Sequence, residues 1–85
     1  MTTDSFLATT ARVLAERHAA YGPANIAMEA IAARWSVTLG RPVSPAQVVL
    51  CLIDLKLARL AHDPAHEDSR IDVAGYAALL AEVMR

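Results

Sequence analysis

The stretch KLARLAHDPAHEDSRID, residues 56–72, contains two of the three histidines of this chain and a cluster of charged side chains that could do chemistry. Helical spacing places Lys56 and Arg59 at the border of the apolar side of one predicted helix, and Asp72 at the border of another. Charged groups beside an apolar face cost desolvation free energy unless they are paired or contact a ligand. The segment therefore predicts a salt-bridge network, a binding site, or both.

The salt-bridge hypothesis needs no ligand. Lys56 and Arg59 lie near the end of the third predicted helix, and they could pair with Asp68 and Asp72 at the start of the fourth. Acidic side chains at a helix start and basic side chains at a helix end also complement the two helix dipoles. The two hypotheses are compatible, because side chains that pair with each other can also contact a ligand.

The binding hypothesis adds polar and aromatic residues from the rest of the chain. Guanidinium, ammonium, amide and aromatic groups together suit a small molecule that carries both a phosphate and a base. Basic side chains would neutralise the phosphate, rings would stack on the base, and polar side chains would bind its edges or fix the basic groups. The candidate ligand-binding residues are Arg17, Lys56 and Arg59, then Tyr21, Trp35 and Tyr76, and finally Asn25 and Asp72.

A magnesium site is the alternative use of the carboxylates. Asp68 and Asp72 are four residues apart, so both can reach one side of a helix, and one or two carboxylates plus substrate phosphates can bind magnesium. A zinc site is not expected, because the chain has one cysteine and three histidines. Ser69 is interpreted as a helix N-cap and not as a nucleophile. The preferred interpretation therefore has no catalytic residue, metal or cofactor.

Composition limits the partners of the chain. Eight basic and nine acidic residues give a net charge of −1, so neither nucleic acid nor a membrane surface is an expected partner. The first residues lack a basic leader followed by an apolar core, and no apolar run has the length of a membrane span, which predicts a cytoplasmic protein. Hydrophobic residues make up 55% of 85 residues, more than one small core can hide, so a homo-oligomer is expected.

Four helices must position these side chains, and together they predict an all-α fold, a compact four-helix bundle over residues 1–85. Glycine and proline mark the breaks AAYGP, LGRPVSP and DPAHED. Gly22 can adopt the left-handed conformation that ends a helix, and Ser44 followed by Pro45 predicts an N-cap. The predicted helices run from Thr3 or Asp4 to about His18, from about 24 to 39, from Ala46 to about His62, and from Asp68 or Ser69 to the end.

The second predicted helix carries two apolar stripes on different faces. One stripe could face the core and the other a second subunit, while a single wide stripe facing the core is the alternative. Trp35 is expected to pack in the core or in an interface more readily than to stack on a base. The two stripes are Ile26, Ala30, Ala33 and Val37, and Met28, Ile31, Trp35 and Leu39. Cys51, between two leucines, is expected to be a small buried residue.

Three segments carry a family resemblance: ERHAAYGPANIAMEAIAARWS, LGRPVSPAQVVLCLIDLKLARLAHDP and HEDSRIDVAGYAAL. Together they resemble a group of short phage and prophage proteins of uncharacterised function, over nearly everything from Glu16 to Glu82. The resemblance implies a viral protein that acts in the cytoplasm of a bacterial host. The residues that carry the likeness are Arg17, Tyr21, Gly22, Asn25, Trp35, Lys56, Arg59, Asp72, Gly75 and Tyr76.

The phage context implies two kinds of function. One is nucleotide hydrolysis, as in the all-α nucleoside triphosphate pyrophosphohydrolases, which hold magnesium with a Glu-x-x-Glu pair and a later Glu-x-x-Asp pair. This chain departs from that pattern, because no Glu-x-x-Glu precedes Asp68 and Asp72. The other is immune evasion, in which small oligomeric proteins sequester cyclic or ADP-ribose-type nucleotide signals of bacterial defence. We favour sequestration without catalysis, with ligand pockets at or near subunit interfaces, and keep a magnesium-dependent hydrolase as the alternative.

Overall fold

The computed structural model describes residues 1–84, which fold into four helices. Helix α1 spans Thr3–Tyr21, α2 spans Ala24–Leu39, α3 spans Pro45–His62 and α4 spans Glu67–Val83. No strand occurs within residues 1–84, so the prediction of an all-α fold with four helices is confirmed. Within the same residues, none of the helices combines the length and the apolar character needed to cross a membrane.

The start of α3 has the cap that the sequence predicts. The Ser44 hydroxyl accepts a hydrogen bond from the backbone N–H of Gln47 at 3.1 Å, and the Gln47 side-chain oxygen accepts one from the Ser44 N–H at 2.9 Å. Pro45, which has no N–H to lose, occupies the first helical position. This reciprocal capping box fixes where α3 begins and hence the register of its charged residues.

Helix α1 ends three residues later than predicted, at Tyr21 instead of His18. Two alanines follow His18, and alanine continues a helix more readily than any other residue. Gly22 closes the helix by donating its N–H to the His18 carbonyl at 2.8 Å. Its φ of 82° is positive as expected, but its ψ of −170° is not left-handed helical, and Gly40, after α2, has that conformation instead.

Helix α4 begins at Glu67, and its N-cap is His66, so the prediction of Ser69 as the cap is wrong. The Nδ1 atom of His66 accepts a hydrogen bond from the Ser69 N–H at 3.2 Å and lies 2.8 Å from the Ser69 hydroxyl oxygen. Ser69 itself is fully buried at the third helical position. An imidazole nitrogen supplies the acceptor that serine, threonine, aspartate or asparagine usually supplies at this place.

The core lies where α2, α3 and α4 meet. Met28 and Ala32 of α2 and Val48 and Val49 of α3 are buried together, and Trp35 packs against them with side chains of α4. Helix α1 packs chiefly on α4 and contacts α2 little, so the α1 side of the molecule is more open. This division places the cavities described below along α1.

Cys51 is exposed, so the expectation of a buried cysteine is wrong. The core-facing residue Val49 lies two positions earlier, and two positions turn a helix by about 200°. The outer side of α3 is therefore apolar as well, with Leu50 and Leu57 each about half exposed. Leucine neighbours in sequence did not indicate burial here, because α3 is apolar on both sides.

Candidate functional site

Asp72 of α4 is the centre of a group of three charged side chains. Its Oδ1 atom lies 2.8 Å from Nη2 of Arg17 on α1, and its Oδ2 atom lies 3.1 Å from Nζ of Lys56 on α3. The carboxylate side chain is only 10% exposed, and that of Lys56 is 15% exposed. Both carboxylate oxygens are thus engaged, which is what a buried charge needs. We call these three residues the Asp72 triad.

Each member of the triad belongs to a row that faces the other helices, although Arg17 is itself 43% exposed. On α1 the row is Phe6, Thr10, Val13 and Arg17, and Thr10 is buried with its hydroxyl bonded to the Phe6 carbonyl at 2.9 Å. The rows predicted from helical spacing for α1, α3 and α4 therefore meet in space. Side chains from α1 and α3 both bind a carboxylate of α4, so the triad connects α1 and α3 to α4.

The protonation of Asp72 follows from these contacts. Burial alone would raise its pKa, but the hydrogen bonds and positive charges of Arg17 and Lys56 outweigh burial and hold the pKa below the ordinary value of 3.8. The hydrogen bond to Asp72 likewise raises the pKa of Arg17, against the opposing effect of partial burial. Asp72 is therefore ionised at neutral pH, as a partner of two basic side chains.

The predicted salt-bridge network is confirmed in one half only. Lys56 pairs with Asp72 across the α3–α4 turn as expected. Arg59 and Asp68 form no salt bridge with each other, and Arg59 has no ion-pair partner among residues 1–84. The second cation on Asp72 is Arg17, which the salt-bridge hypothesis did not include. The position of Arg17 on the row of Phe6, Thr10 and Val13 was the available signal.

Next to the triad lies a polar cleft of about 300 Å³ between α1, α3 and α4. Its charged side chains are three basic and two acidic, which leaves one net positive charge when the histidine is neutral. Arg59 brings a charge that no carboxylate of the described chain balances. We call this space the polar cleft, and it is lined by Val13, Arg17, Lys56, Arg59, His66, Asp68, Ser69, Ile71 and Asp72.

A second, larger cavity lies between α1, α2 and α4, where α1 stands off from α2. It has a volume of about 630 Å³ and mostly apolar walls that include the rings of Tyr21 and Tyr76. Arg17 lines this cavity as well as the polar cleft, so the two spaces share this residue. We call it the apolar groove, and its other lining residues are Leu14, Ala15, His18, Gly22, Ala24, Ala27, Met28, Ile31, Ala78, Leu79 and Glu82.

The structure brings together six of the eight candidate ligand-binding residues. Tyr21 and Tyr76 lie in the groove, Lys56, Arg59 and Asp72 lie in the cleft, and Arg17 belongs to both.

The other two candidates lie elsewhere. Trp35 packs against the core, as the favoured interpretation of this residue expected. The exposed Asn25 lines neither space. His66 and Ser69 also line the polar cleft and were not among the predicted site residues, although their position at the start of α4, beside Asp68, was a usable signal.

The carboxylates proposed for magnesium share the polar cleft. Asp68 and Asp72 both line it, but the two oxygens of Asp72 are already bonded to Arg17 and Lys56. No cluster of three or more histidine, cysteine or acidic side chains suited to a metal occurs in the described part of the chain. A metal ion at Asp72 would have to displace the Arg17 guanidinium and the Lys56 ammonium group, which opposes metal binding there.

Comparison with known proteins gives a family. The family described as Domain of unknown function (DUF6378) matches residues 5–84. The chain is also similar to the "Gene 55 protein" of Mycobacterium phage L5, with 35% identity over 78 residues, or 89% of this chain. That match covers 50% of the phage protein, so the chain spans about half the length of the curated relative it matches. No solved structure matches the chain.

Proposed function

We propose that this chain, which belongs to the family described as Domain of unknown function (DUF6378), binds a phosphorylated nucleotide without breaking a bond in it. The observation that carries this proposal is the position of Arg17, which lines both the apolar groove and the polar cleft. A nucleotide has the same division, with a flat apolar base joined to a charged phosphate. Ligand sites commonly combine apolar walls with a few fixed polar groups.

The phosphate would lie in the polar cleft. Arg59 has no ion pair within residues 1–84, and Arg17 uses only Nη2 towards Asp72, which leaves further N–H groups of its guanidinium for an acceptor. Asp72 acts as a positioning residue in this arrangement, because it holds Arg17 and Lys56 in place. Guanidinium groups bind phosphate oxygens with two parallel hydrogen bonds, which favours arginine for this role.

The base would lie in the apolar groove. Tyr76 and Tyr21 offer rings at its wall, and Met28 and Ile31 supply apolar contacts from α2. Stacking of a base on an aromatic ring contributes about 1–3 kcal/mol and tolerates different bases. The groove volume of about 630 Å³ lies within the range of known small-molecule sites, roughly 300–1,000 Å³.

Binding without catalysis is favoured over hydrolysis by the state of Asp72. A hydrolase of the magnesium-dependent kind needs carboxylates that are free to hold the metal, and both oxygens of Asp72 are bonded to cations. Asp68 alone is a single ligand. A magnesium-dependent hydrolase would instead cleave the ligand in the experiment below.

The similarity to a phage protein supports a role in infection. In the proposed role the chain, assembled as a homo-oligomer in the host cytoplasm, sequesters a nucleotide signal of bacterial defence. Sequestration needs tight binding and an intact ligand, which fits a site that has basic and aromatic groups. Cyclic dinucleotides and ADP-ribose derivatives are the ligand classes to test first.

A thermal-shift screen with recovery of the ligand tests the proposal. The purified protein is heated with ADP, ADP-ribose and cyclic di-AMP, each with magnesium and with EDTA. A ligand present at about a hundred times its dissociation constant adds roughly 2.7 kcal/mol of stability, which gives a clear shift in Tm. The proposal predicts a shift that persists in EDTA and a ligand that is recovered unchanged after denaturation.

A matched pair of variants places the ligand. Arg59→Ala removes the unpaired cation of the cleft and should abolish most of the shift, whereas Arg41→Ala removes an exposed arginine that lines neither cavity and should leave it unchanged. A cleaved ligand that depends on magnesium would establish the hydrolase instead. No shift with any of the three probes would contradict nucleotide binding at this site.

A further inference from the structure

The outward face of α2 is apolar, although its side chains are exposed in the single chain. Ile26 is 59% exposed and Val37 is 84% exposed, and Ala30 and Ala33 between them are exposed too. The opposite face of the same helix supplies the buried core residues Met28 and Ala32, so that α2 is apolar on both sides. A helix with two apolar faces is normally covered on both. We call Ile26, Ala30, Ala33 and Val37 the α2 seam.

The whole molecule also exposes more surface than its size requires. Its accessible surface is 5758 Å² for a mass of 9.1 kDa, whereas a compact monomer of that mass exposes about 4,900 Å². Few side chains are fully buried within residues 1–84, among them Val48, Val49 and Ser69. Part of the surface therefore needs a partner, and the α2 seam is a continuous apolar part of it.

The spacing of the seam is that of a two-stranded coiled coil. Its members follow one another at intervals of four, three and four residues, which is the alternation of heptad a and d positions. Two alanines stand at the centre, so a second helix can approach closely there. The larger Ile26 and Val37 lie at the two ends and would close over the contact.

The charges beside the seam indicate which partner covers it. Glu29 borders one side and Arg34 the other, and neither has an ion-pair partner among residues 1–84. Ala30 is an a position of the seam, and Glu29 directly precedes it. In a parallel coiled coil, the residue before an a position faces the residue five positions later in the partner helix. That residue is Arg34, so each Glu29 would face an Arg34 of the other copy. An antiparallel pair would bring equal flanks together, so Glu29 and Arg34 would lie on separate flanks and could not pair.

We infer that the α2 seam is a parallel, two-fold symmetric interface between two copies of this chain, with two salt bridges between Glu29 and Arg34. The same surface serves both copies, as an isologous contact requires. The inference gives the homo-oligomer of the proposed function a specific surface. It is tested on protein without ligand, so its failure would be separate from a failure of nucleotide binding.

Charge reversal tests the inference, with the molar mass read by light scattering or sedimentation. Glu29→Arg alone places two arginines opposite each other in both bridges, and Arg34→Glu alone places two glutamates there. Each single variant should therefore be a monomer, or dissociate at least tenfold more readily than the unchanged chain. The double variant E29R/R34E should be a dimer again. Arg41→Glu, an exposed arginine outside the seam, is the control and should leave the dimer intact.

Mixing the two single variants is the sharpest form of this test. In a mixed dimer of E29R with R34E, both bridges join an arginine to a glutamate, so two monomeric variants should combine into one dimer. An occupant other than a second copy of the seam would not be restored by mixing. Failure to dimerise on mixing, or a dimer that both single variants leave intact, would overturn the inference. Far-UV circular dichroism identifies any variant that has lost its helices.

A cross-link fixes the direction of the helices. In a Cys51→Ser background, Ala33→Cys would face the same cysteine of the partner across the two-fold axis and form a disulfide on mild oxidation. In an antiparallel pair the same cysteine would face the neighbourhood of Ala30. A covalent dimer from Ala33→Cys supports the parallel interface, and its absence in a protein that is still dimeric would overturn the parallel arrangement.

Discussion

The Asp72 triad and the α2 seam are opposite departures from the usual distribution of residues in a folded protein. In the triad a carboxylate with 10% exposure lies among helices, and its partners are within the chain at 2.8 and 3.1 Å. In the seam, the apolar side chains of Ile26 and Val37 are more than half exposed. The charges of the triad have partners within the chain, whereas the apolar surface of the seam is left exposed to solvent.

The difference shows where the chain needs its surroundings. A buried ion pair rarely adds stability over an apolar alternative, but breaking one leaves a charge without a partner and is costly. An exposed apolar stripe costs the folded chain little until a partner covers it. Changes in the triad should therefore act on folding, and changes in the seam on association.

The largest effect is expected for Asp72→Ala. This change leaves Lys56, which is 15% exposed, with no acceptor, and it leaves Arg17 unpaired. We expect a loss of about 3 kcal/mol in the free energy of unfolding, at the lower end for a broken buried pair because Arg17 is 43% exposed. Urea unfolding followed by circular dichroism measures it. Asp68→Ala, which removes an exposed carboxylate one turn earlier on the same helix, should change stability by less than about 0.5 kcal/mol.

The pH dependence of the same contact should be one-sided. Because the pKa of Asp72 is held below 3.8 in the folded state, its contribution to stability is present above that pH and is lost as the pH falls through the folded pKa. The unchanged chain should exceed Asp72→Asn in stability by the same amount at pH 7 and pH 5. Below pH 4 that margin should shrink. A margin that shrinks already between pH 7 and pH 5 would mean that the pKa is raised instead.

A smaller loss is expected for Lys56→Met. Asp72 keeps its hydrogen bond to Arg17 in this variant, and the methionine side chain fills a similar space. We expect a loss of about 1–2 kcal/mol in the free energy of unfolding, measured by urea unfolding as before. A loss equal to that of Asp72→Ala would mean that Arg17 contributes nothing to holding the carboxylate.

Two valines compare the inside with the seam directly, and the seam is expected to show the smallest effect on folding. Val49 is fully buried, and Val49→Ala should cost roughly 2 kcal/mol in folding. Val37, at 84% exposure, should cost less than about 0.5 kcal/mol in the folding of the single chain when changed to alanine. Sedimentation should show weaker self-association for Val37→Ala only. Equal effects of the two changes on folding would contradict the division between the buried core and the seam.

The helices and the charged rows were predictable because they depend on local rules. The Ser44 cap, the breaks at Gly22 and Gly40, and the rows that carry Arg17, Lys56 and Asp72 all follow from helical periodicity and capping chemistry.

Two details of the site were not predictable in this way. Whether Arg17 or Arg59 would reach Asp72 depends on how α1 lies against α4, which no single helix encodes. The apolar groove likewise exists because α1 contacts α2 little, and the distance between these two helices could not be predicted from the sequence.

Chemical-shift mapping by ¹H–¹⁵N NMR tests the central claim most directly, because it reports on the groove, the cleft and the α2 seam in one titration. ADP-ribose and cyclic di-AMP are each added to the labelled protein in EDTA. If a nucleotide binds across the groove and the cleft, at least one of them should shift the amides around Tyr76 and Tyr21 together with those around Arg59 and Lys56. The amides of the α2 seam should stay in place. Shifts confined to the seam, or no shifts with either probe, would contradict binding across the groove and the cleft.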